Sequence, residues 1–196
     1  MALSKGKKLL ILGAALVVID QVIKILVKTN MSIGEHFSVI GNWFQILFIE
    51  NEGMAFGMKF GGVAGKYVLS AFRIALFTVL TCWIASLAKK NSAPSGVLAG
   101  LTLIDAGALG NIIDCLFYGL IFTPHRPFMQ GKVVDMLYFP LIDTTWPDWL
   151  PWIGGTPFTF FDPVFNFADS CVTVGAIYLI LFHWRFFATS ESDKKK

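Results

Sequence analysis

LLILGAALVVIDQVIKILV, residues 9–27, decides what kind of molecule this is. Eleven residues pass without a polar side chain before Asp20, Gln21 and Lys24 enter. A hydrocarbon core of ~30 Å takes about 20 helical residues to cross, and this run is that long. A basic start at Lys5, Lys7 and Lys8 gives it the outline of a secretory signal. It exceeds a typical signal core and carries polar residues in its second half, so a retained transmembrane helix is the expectation.

Three further runs have the same character, at 68–88, 97–116 and 165–187. The 196 residues are 55% hydrophobic and only 15% charged, with a mean hydropathy of +0.65. That balance excludes an ordinary soluble domain. The chain reads as a membrane all-α core of four transmembrane helices, one integral-membrane domain over residues 1–196, joined by long segments at 28–67 and 119–164.

Charge gives the orientation. Lys5, Lys7 and Lys8 precede the first span, Lys89 and Lys90 lie between the second and third, and Arg185 and Lys194 to Lys196 close the chain. The two long connections hold five cations against seven acids, a net charge of −2. The positive-inside rule then puts both termini in the cytoplasm and both long connections outside it. Membrane orientation accounts for the basic ends, so no nucleic-acid partner is expected. Cys82, Cys115 and Cys171 all fall in spans without a CxxC pair, which points to free buried thiols.

In the first connection a strand-like run, 43–49, leads into the turn signal Glu50-Asn51-Glu52-Gly53 and then Met54-Ala55-Phe56-Gly57, the pattern of a hairpin on the membrane surface. In the second, residues 132–139 read as a β-type segment stopped by Pro140. Beyond it Trp146-Pro147-Asp148-Trp149-Leu150-Pro151-Trp152 suits the outer interface, because proline breaks helices and tryptophan favours the headgroup zone.

Four aspartates, Asp20, Asp114, Asp135 and Asp169, sit in this apolar setting. Each carboxylate at the bilayer centre would cost roughly 2.5–3.5 kcal/mol, and intramembrane acids point to a functional site in the bundle interior. Helical rise puts Asp20 roughly 10 Å, and Asp169 about 6 Å, below the outer ends of their spans. Asn111 and Asp114 reach the outer end of the third span, and Asp135 arrives from the external connection. All four are expected in the outer leaflet.

Two carboxylates in a small site drive their pKa values apart, leaving one to deprotonate a water and the other to protonate a carbonyl. That is aspartic-protease chemistry. His36, His125 and His183 are too scattered to form a Ser-His pair. A metal held by the carboxylates and His125 stays open, without HExxH spacing to support it. A small proton or cation transporter, or a binding factor without catalysis, also remains open. Asp20 and Lys24, four residues apart, suit a structural ion pair. Asp105 and Arg73 suit pairing between helices.

Five ordered motifs carry a resemblance. Asp20-Gln21-Val22-Ile23-Lys24, Asn51-Glu52-Gly53-Met54-Ala55-Phe56, Gly107-Ala108-Leu109-Gly110-Asn111-Ile112-Ile113-Asp114, Val133-Val134-Asp135 and Phe165-Asn166-Phe167-Ala168-Asp169-Ser170 resemble those of the lipoprotein signal peptidases, the type II signal peptidases of bacteria. The third motif usually ends Asp-Arg, whereas Asp114 is followed by Cys115, with Lys132 or Arg126 as candidate replacements.

The resemblance implies a membrane aspartic endopeptidase of the bacterial inner membrane, its site towards the extracytoplasmic face. It would cut prolipoproteins before a diacylglyceryl-modified cysteine. The fold implied is four transmembrane helices with a small extracytoplasmic β-cradle. Carried over, Asp135 and Asp169 are the catalytic pair. Asn51, Gly53, Asn111 and Asn166 position substrate or the pair, while Asp20, Lys24 and Asp114 support the site. No cofactor or metal is implied. Partners would be prolipoproteins, membrane lipids and globomycin-type inhibitors.

Overall fold

The computed structural model describes residues 3–52 and 62–192. Helix α1 (Lys5–Asn30) is followed by strands β1 (His36–Ile40) and β2 (Phe44–Asn51), then by α2 (Gly62–Lys90). Helix α3 (Ser95–Ile113) runs on through a π-helical turn (Asp114–Tyr118) into a last α-turn, α4 (Gly119–Phe122). Strands β3 (Val133–Tyr138), β4 (Ile142–Thr145) and β5 (Pro157–Phe160) precede α5 (Phe167–Ser192). Four stretches, Lys5–Asn30, Gly62–Lys90, Ser95–Phe122 and Phe167–Ala188, are long and apolar enough to cross a membrane.

Helix α1 is built inside out. It buries Asp20, Lys24 and Val27 while Leu10, Val18 and Leu26 are exposed. Lipid solvates the apolar side chains as well as a protein core would, so the interior is left to the groups that need partners. Helix α3 is the central element, packed by α1, α2 and α5. Small residues on α3 allow the close approach. A Cβ on Gly107 would overlap the carbonyl oxygen of Ala168, and one on Gly110 would lie 2.5 Å from Oδ2 of Asp20.

Outside the helices, β1, β2 and β3 form an antiparallel sheet in that order, with Ile49 opposite Asp135 and Asn51 opposite Val133. Phe48, Val134 and Met136 pack on Val27 of α1 and Tyr118 of the π-turn, seating the sheet on two helix ends. Strands β4 and β5 form a separate two-stranded hairpin.

Several expectations need correction. The third span does not end near Asp114: the π-turn carries the helix on to Phe122, so Asp114 lies about two turns and Asn111 about three turns inside its end. The fourth span starts at Phe167, since Phe165 is held in a bridge to Leu137, and Asp169 lies in the first turn of α5. In the first connection the chain turns at Gly41, φ +52°, and β2 continues through Glu50 and Asn51 instead of turning there. Residues 53–57, including Gly53, fall outside the described residues. Cys115 and Cys171 are buried free thiols, but Cys82 is exposed.

Candidate active site

Local sequence fixes Asp169. Asn166 precedes α5 and its Oδ1 accepts the backbone N–H of Asp169 at 2.9 Å, while Oδ2 of Asp169 accepts the N–H of Asn166 at 3.3 Å. This is a reciprocal capping box, with Asn and Asp in the roles more often taken by Ser and Glu. The other half of the Asn166 amide is left to reach across the fold. Its Nδ2 donates to Oδ1 of Asp135 at 2.7 Å and to Oδ1 of Asn111 at 3.1 Å.

Asp135 arrives by strand geometry. Val134 and Met136 on either side of it are buried in the cluster under the sheet. Alternation therefore turns Asp135 to the opposite face. It is 2% exposed and also takes a hydrogen bond from the Asn51 side chain. Burial pushes its carboxyl up to about 7, and the charge of Asp169 adds to the rise. The bonds from Asn166 and Asn51 and the more distant Lys24 pull the other way and do not prevail.

Asn111 joins this pair to a second group. Its Nδ2 donates to Oδ1 of Asp169 at 2.8 Å, and its Oδ1 accepts from Lys24 at 2.8 Å. Lys24, with no exposed surface, also contacts Oδ2 of Asp20 at 2.9 Å and Oδ2 of Asp114 at 2.8 Å. An ammonium has three donors, and all three are used. Asp20 does more than pair with Lys24: its Oδ1 accepts the N–H of Ala168 at 2.9 Å. That group is one of the orphan donors in the first turn of α5. Asp20 therefore helps cap the helix that carries Asp169.

Gln21 completes the arrangement. Its Nε2 donates to Asp114 at 2.9 Å, to the carbonyl of Gly110 at 3.1 Å and to Asp20 at 3.2 Å, while its Oε1 accepts from Tyr118. Sequence reasoning passed over Gln21 and Tyr118 as site residues. Gln21 stood inside the first motif and could have been found there. Tyr118 carried no such signal.

Of the site residues expected from sequence, Asp20, Lys24, Asn51, Asn111, Asp114, Asp135, Asn166 and Asp169 are brought together. Gly53 lies outside the described residues. The candidates for replacing the arginine after Asp114 go elsewhere. Arg126 pairs with Glu52 and Lys132 with Glu50, while Lys28 and Lys66 bind the same two acids. Burial works to raise both glutamates, but these cations outweigh it and hold them below the usual carboxylate range. At Cys115 itself, Arg73 of α2 donates to the sulfur at 3.3 Å. Asp105 accepts from Thr81, an α2–α3 link. Among the described residues no three His, Cys, Asp or Glu side chains converge in a metal-holding group.

Comparison with known proteins gives the family. A family model described as signal peptidase (SPase) II matches residues 12–185. A lipoprotein signal peptidase of Porphyromonas gingivalis is 44% identical over 98% of this chain and 90% of its own length. One from Amoebophilus asiaticus is 40% identical over 84% of this chain and 72% of its own. A solved structure described as a bacterial membrane enzyme, determined by the in meso method at 2.3 Å, is similar with a TM-score of 0.62. It is 25% identical and covers 97% of this chain and 92% of that one. The helices, the buried acids and the relatives agree: this chain is a multi-pass bacterial membrane protein that belongs to the signal peptidase II family.

Proposed function

We propose that the chain is an aspartic endopeptidase that removes signal peptides from prolipoproteins, cutting before the diacylglyceryl-modified cysteine, with Asp135 and Asp169 as its catalytic pair. One observation carries this reading: a single buried residue, Asn166, holds both carboxylates, its Nδ2 donating to Asp135 and its backbone N–H to Asp169. Asn111, Asn51 and Asn166 orient the pair or the substrate, and Asp20, Lys24 and Asp114 brace it. Gly53 joins the positioning group by its motif.

The two acids take different parts. Asp135, with its carboxyl raised to about 7, is the member that keeps a proton up towards neutral pH. Both oxygens of Asp169 accept N–H groups, and it takes the base's part. Asp169 takes a proton from a water, whose oxygen attacks the scissile carbonyl carbon. Asp135 gives its proton to the carbonyl oxygen, and a neutral tetrahedral diol forms. On collapse, Asp169 delivers its proton to the departing cysteine nitrogen and Asp135 recovers one from the diol hydroxyl. Both acids return to their starting states.

The whole chain, 1–196, acts as one unit in the inner membrane with both termini in the cytoplasm, as the lysines at its start and at 89–90 favour. The site then opens to the extracytoplasmic side, where a substrate's acyl chains lie in the outer leaflet. Globomycin-type inhibitors would compete for it. The test is cleavage of a purified diacylglyceryl-modified prolipoprotein, with and without globomycin and with a chelator. Asp135→Asn and Asp169→Asn are expected to abolish turnover in folded, inserted protein, and the chelator to have no effect. Near-wild-type turnover in either variant rejects the pair.

A further inference from the structure

The β4–β5 hairpin, residues 142–160, is not used by the chemistry above. It leaves β3 through three residues and returns to α5 through six, so it hangs beside the ends of the helices that carry the site. Its strands pair with each other, Ile142 opposite Phe160 and Thr145 opposite Pro157, and among the described residues no other helix or strand packs extensively on them. An isolated two-stranded hairpin is marginal in water. Yet this one exposes Ile142, Phe160, Ile153, Trp149 and Trp152, the last two by 79% and 99%.

The tip is folded to hold them out. Trp146 turns inward onto Phe158, with ring centroids 4.6 Å apart. The backbone between them closes through Leu150 N–H to Pro147 O, Gly154 N–H to Leu150 O and Gly155 N–H to Trp146 O. Trp152 itself has φ +66°, a left-handed conformation uncommon for a bulky residue. A fixed turn with backbone in an unfavourable region, presenting a fully exposed indole, needs a compensating environment.

We infer that this hairpin is an interfacial anchor that seats Trp149 and Trp152 among the lipid headgroups beside the helix ends. Three observations favour a lipid surface as the occupant. The short tethers hold the hairpin close to β3 and to the start of α5, one of the helices long and apolar enough to cross a membrane. Tryptophan is the residue that partitions to the headgroup zone. The hairpin bears no cation, only Asp143 and Asp148, so the attachment is interfacial and independent of anionic lipid. Because the hairpin lies in the chain between Asp135 and Asp169, anchoring it limits the movement of that connection at the site.

The inference needs only that the helices span a bilayer, and its test uses no substrate. Full-length protein and its Trp149→Phe/Trp152→Phe variant are placed in nanodiscs of zwitterionic phosphatidylcholine, brominated either near the headgroup or deep in the chains. The fluorescence difference between the two proteins isolates the paired tryptophans. That difference is expected to be quenched by shallow bromines, weakly by deep ones and weakly by aqueous iodide, and to be unchanged by salt. Strong iodide quenching without lipid quenching overturns the inference. So does shielding that appears only with a second copy per disc, or only after prolipoprotein is added. Failed cleavage with the shallow quenching intact would count against the peptidase reading alone.

Discussion

The ammonium of Lys24 lies 2.8 Å from Oδ1 of Asn111, and this contact decides which end of the amide faces Asp169. With its oxygen taken by Lys24 and by Asn166, the Asn111 NH2 is turned to Oδ1 of Asp169. Lys24 therefore reaches the Asp135–Asp169 pair through an amide, at one remove. Its own charge is shared between Asp20 and Asp114.

Lys24→Met tests the structural half of that arrangement. The substitution leaves two fully buried carboxylates without their cation. Removing one partner of a buried ion pair costs about 3–5 kcal/mol, because the remaining charge has lost both water and counter-ion. Thermal unfolding in detergent should show a large loss, and Lys24→Met combined with Asp114→Leu should recover part of it. A single variant as stable as the wild type would show that Asp20 and Asp114 do not depend on the ammonium.

Asn111→Ala tests the other half. It deletes the donor to Asp169 but keeps the Lys24 pairs with Asp20 and Asp114. Misplacement of a catalytic group by about 1 Å can cost on the order of 10²-fold in rate. The expected result is a fall in kcat of about that size with KM little changed, and a smaller loss of thermal stability than for Lys24→Met. A change confined to KM would move Asn111 into substrate binding.

What the sequence made legible follows from which forces are local. Four spans can be read because lipid selects long apolar runs, and Asp20 with Lys24 because four residues is one helical turn. Asp169 with Asn166 is equally local, although Asn166 proves to be the helix cap and lies outside the helix. The bond from Asp20 to the Ala168 N–H joins residues 148 apart, and no spacing announces it. The π-turn at Asp114–Tyr118 inserts an irregularity that hydropathy does not register, so the end of the third span is misjudged. Glu50-Asn51-Glu52-Gly53 has turn composition, yet pairing of Asn51 with Val133 keeps β2 extended there. The β4–β5 pairing is not legible, although its Trp- and Pro-rich tip reads as interfacial. Its strands are four residues each, too short for alternation to stand out.

The pH dependence follows from Asp135. Burial, with the charge of Asp169, raises its carboxyl to about 7, against an ordinary value near ~3.9. If its acid form protonates the scissile carbonyl, kcat/KM is intact on the acid side of this value and falls as pH rises through about 7. The apparent value belongs to the pair of carboxylates rather than to one residue. An alkaline limb displaced far above neutrality would reject Asp135 as the acid.

The same raised carboxyl bears on stability with a definite sign. Between about pH 4 and about pH 7 the folded chain keeps a proton on Asp135 that the unfolded chain has lost. This group's contribution to stability therefore declines across that window and levels off above it. Asp135→Asn removes the decline, so the variant should gain on the wild type as pH rises. Paired unfolding curves at acid and neutral pH measure the difference, and a constant offset would contradict the raised value.

Gly131 connects the helical framework to the strand that bears Asp135. Its N–H donates to the carbonyl of Cys115 at 2.9 Å, two residues before β3 begins at Val133. A Cβ at this position would overlap the carbonyl oxygen of Asp114 and lie 2.9 Å from the nitrogen of Gly119, both of them backbone atoms with little freedom to move. Gly131→Ala must therefore push the chain away from the π-turn, and forced overpacking of this kind costs about 1–3 kcal/mol. The displacement passes along β3 to Asp135, whose bond from Asn166 is 2.7 Å long and intolerant of such a shift. Activity should consequently fall further than the stability loss alone would explain, with a drop in kcat at temperatures where the variant remains folded. Gly119→Ala is the control: its Cβ would meet the Gln130–Gly131 backbone at 3.1–3.2 Å, a tight contact without overlap, and should cost less in both measurements. Equal effects from the two substitutions would mean that the π-turn does not govern the position of β3.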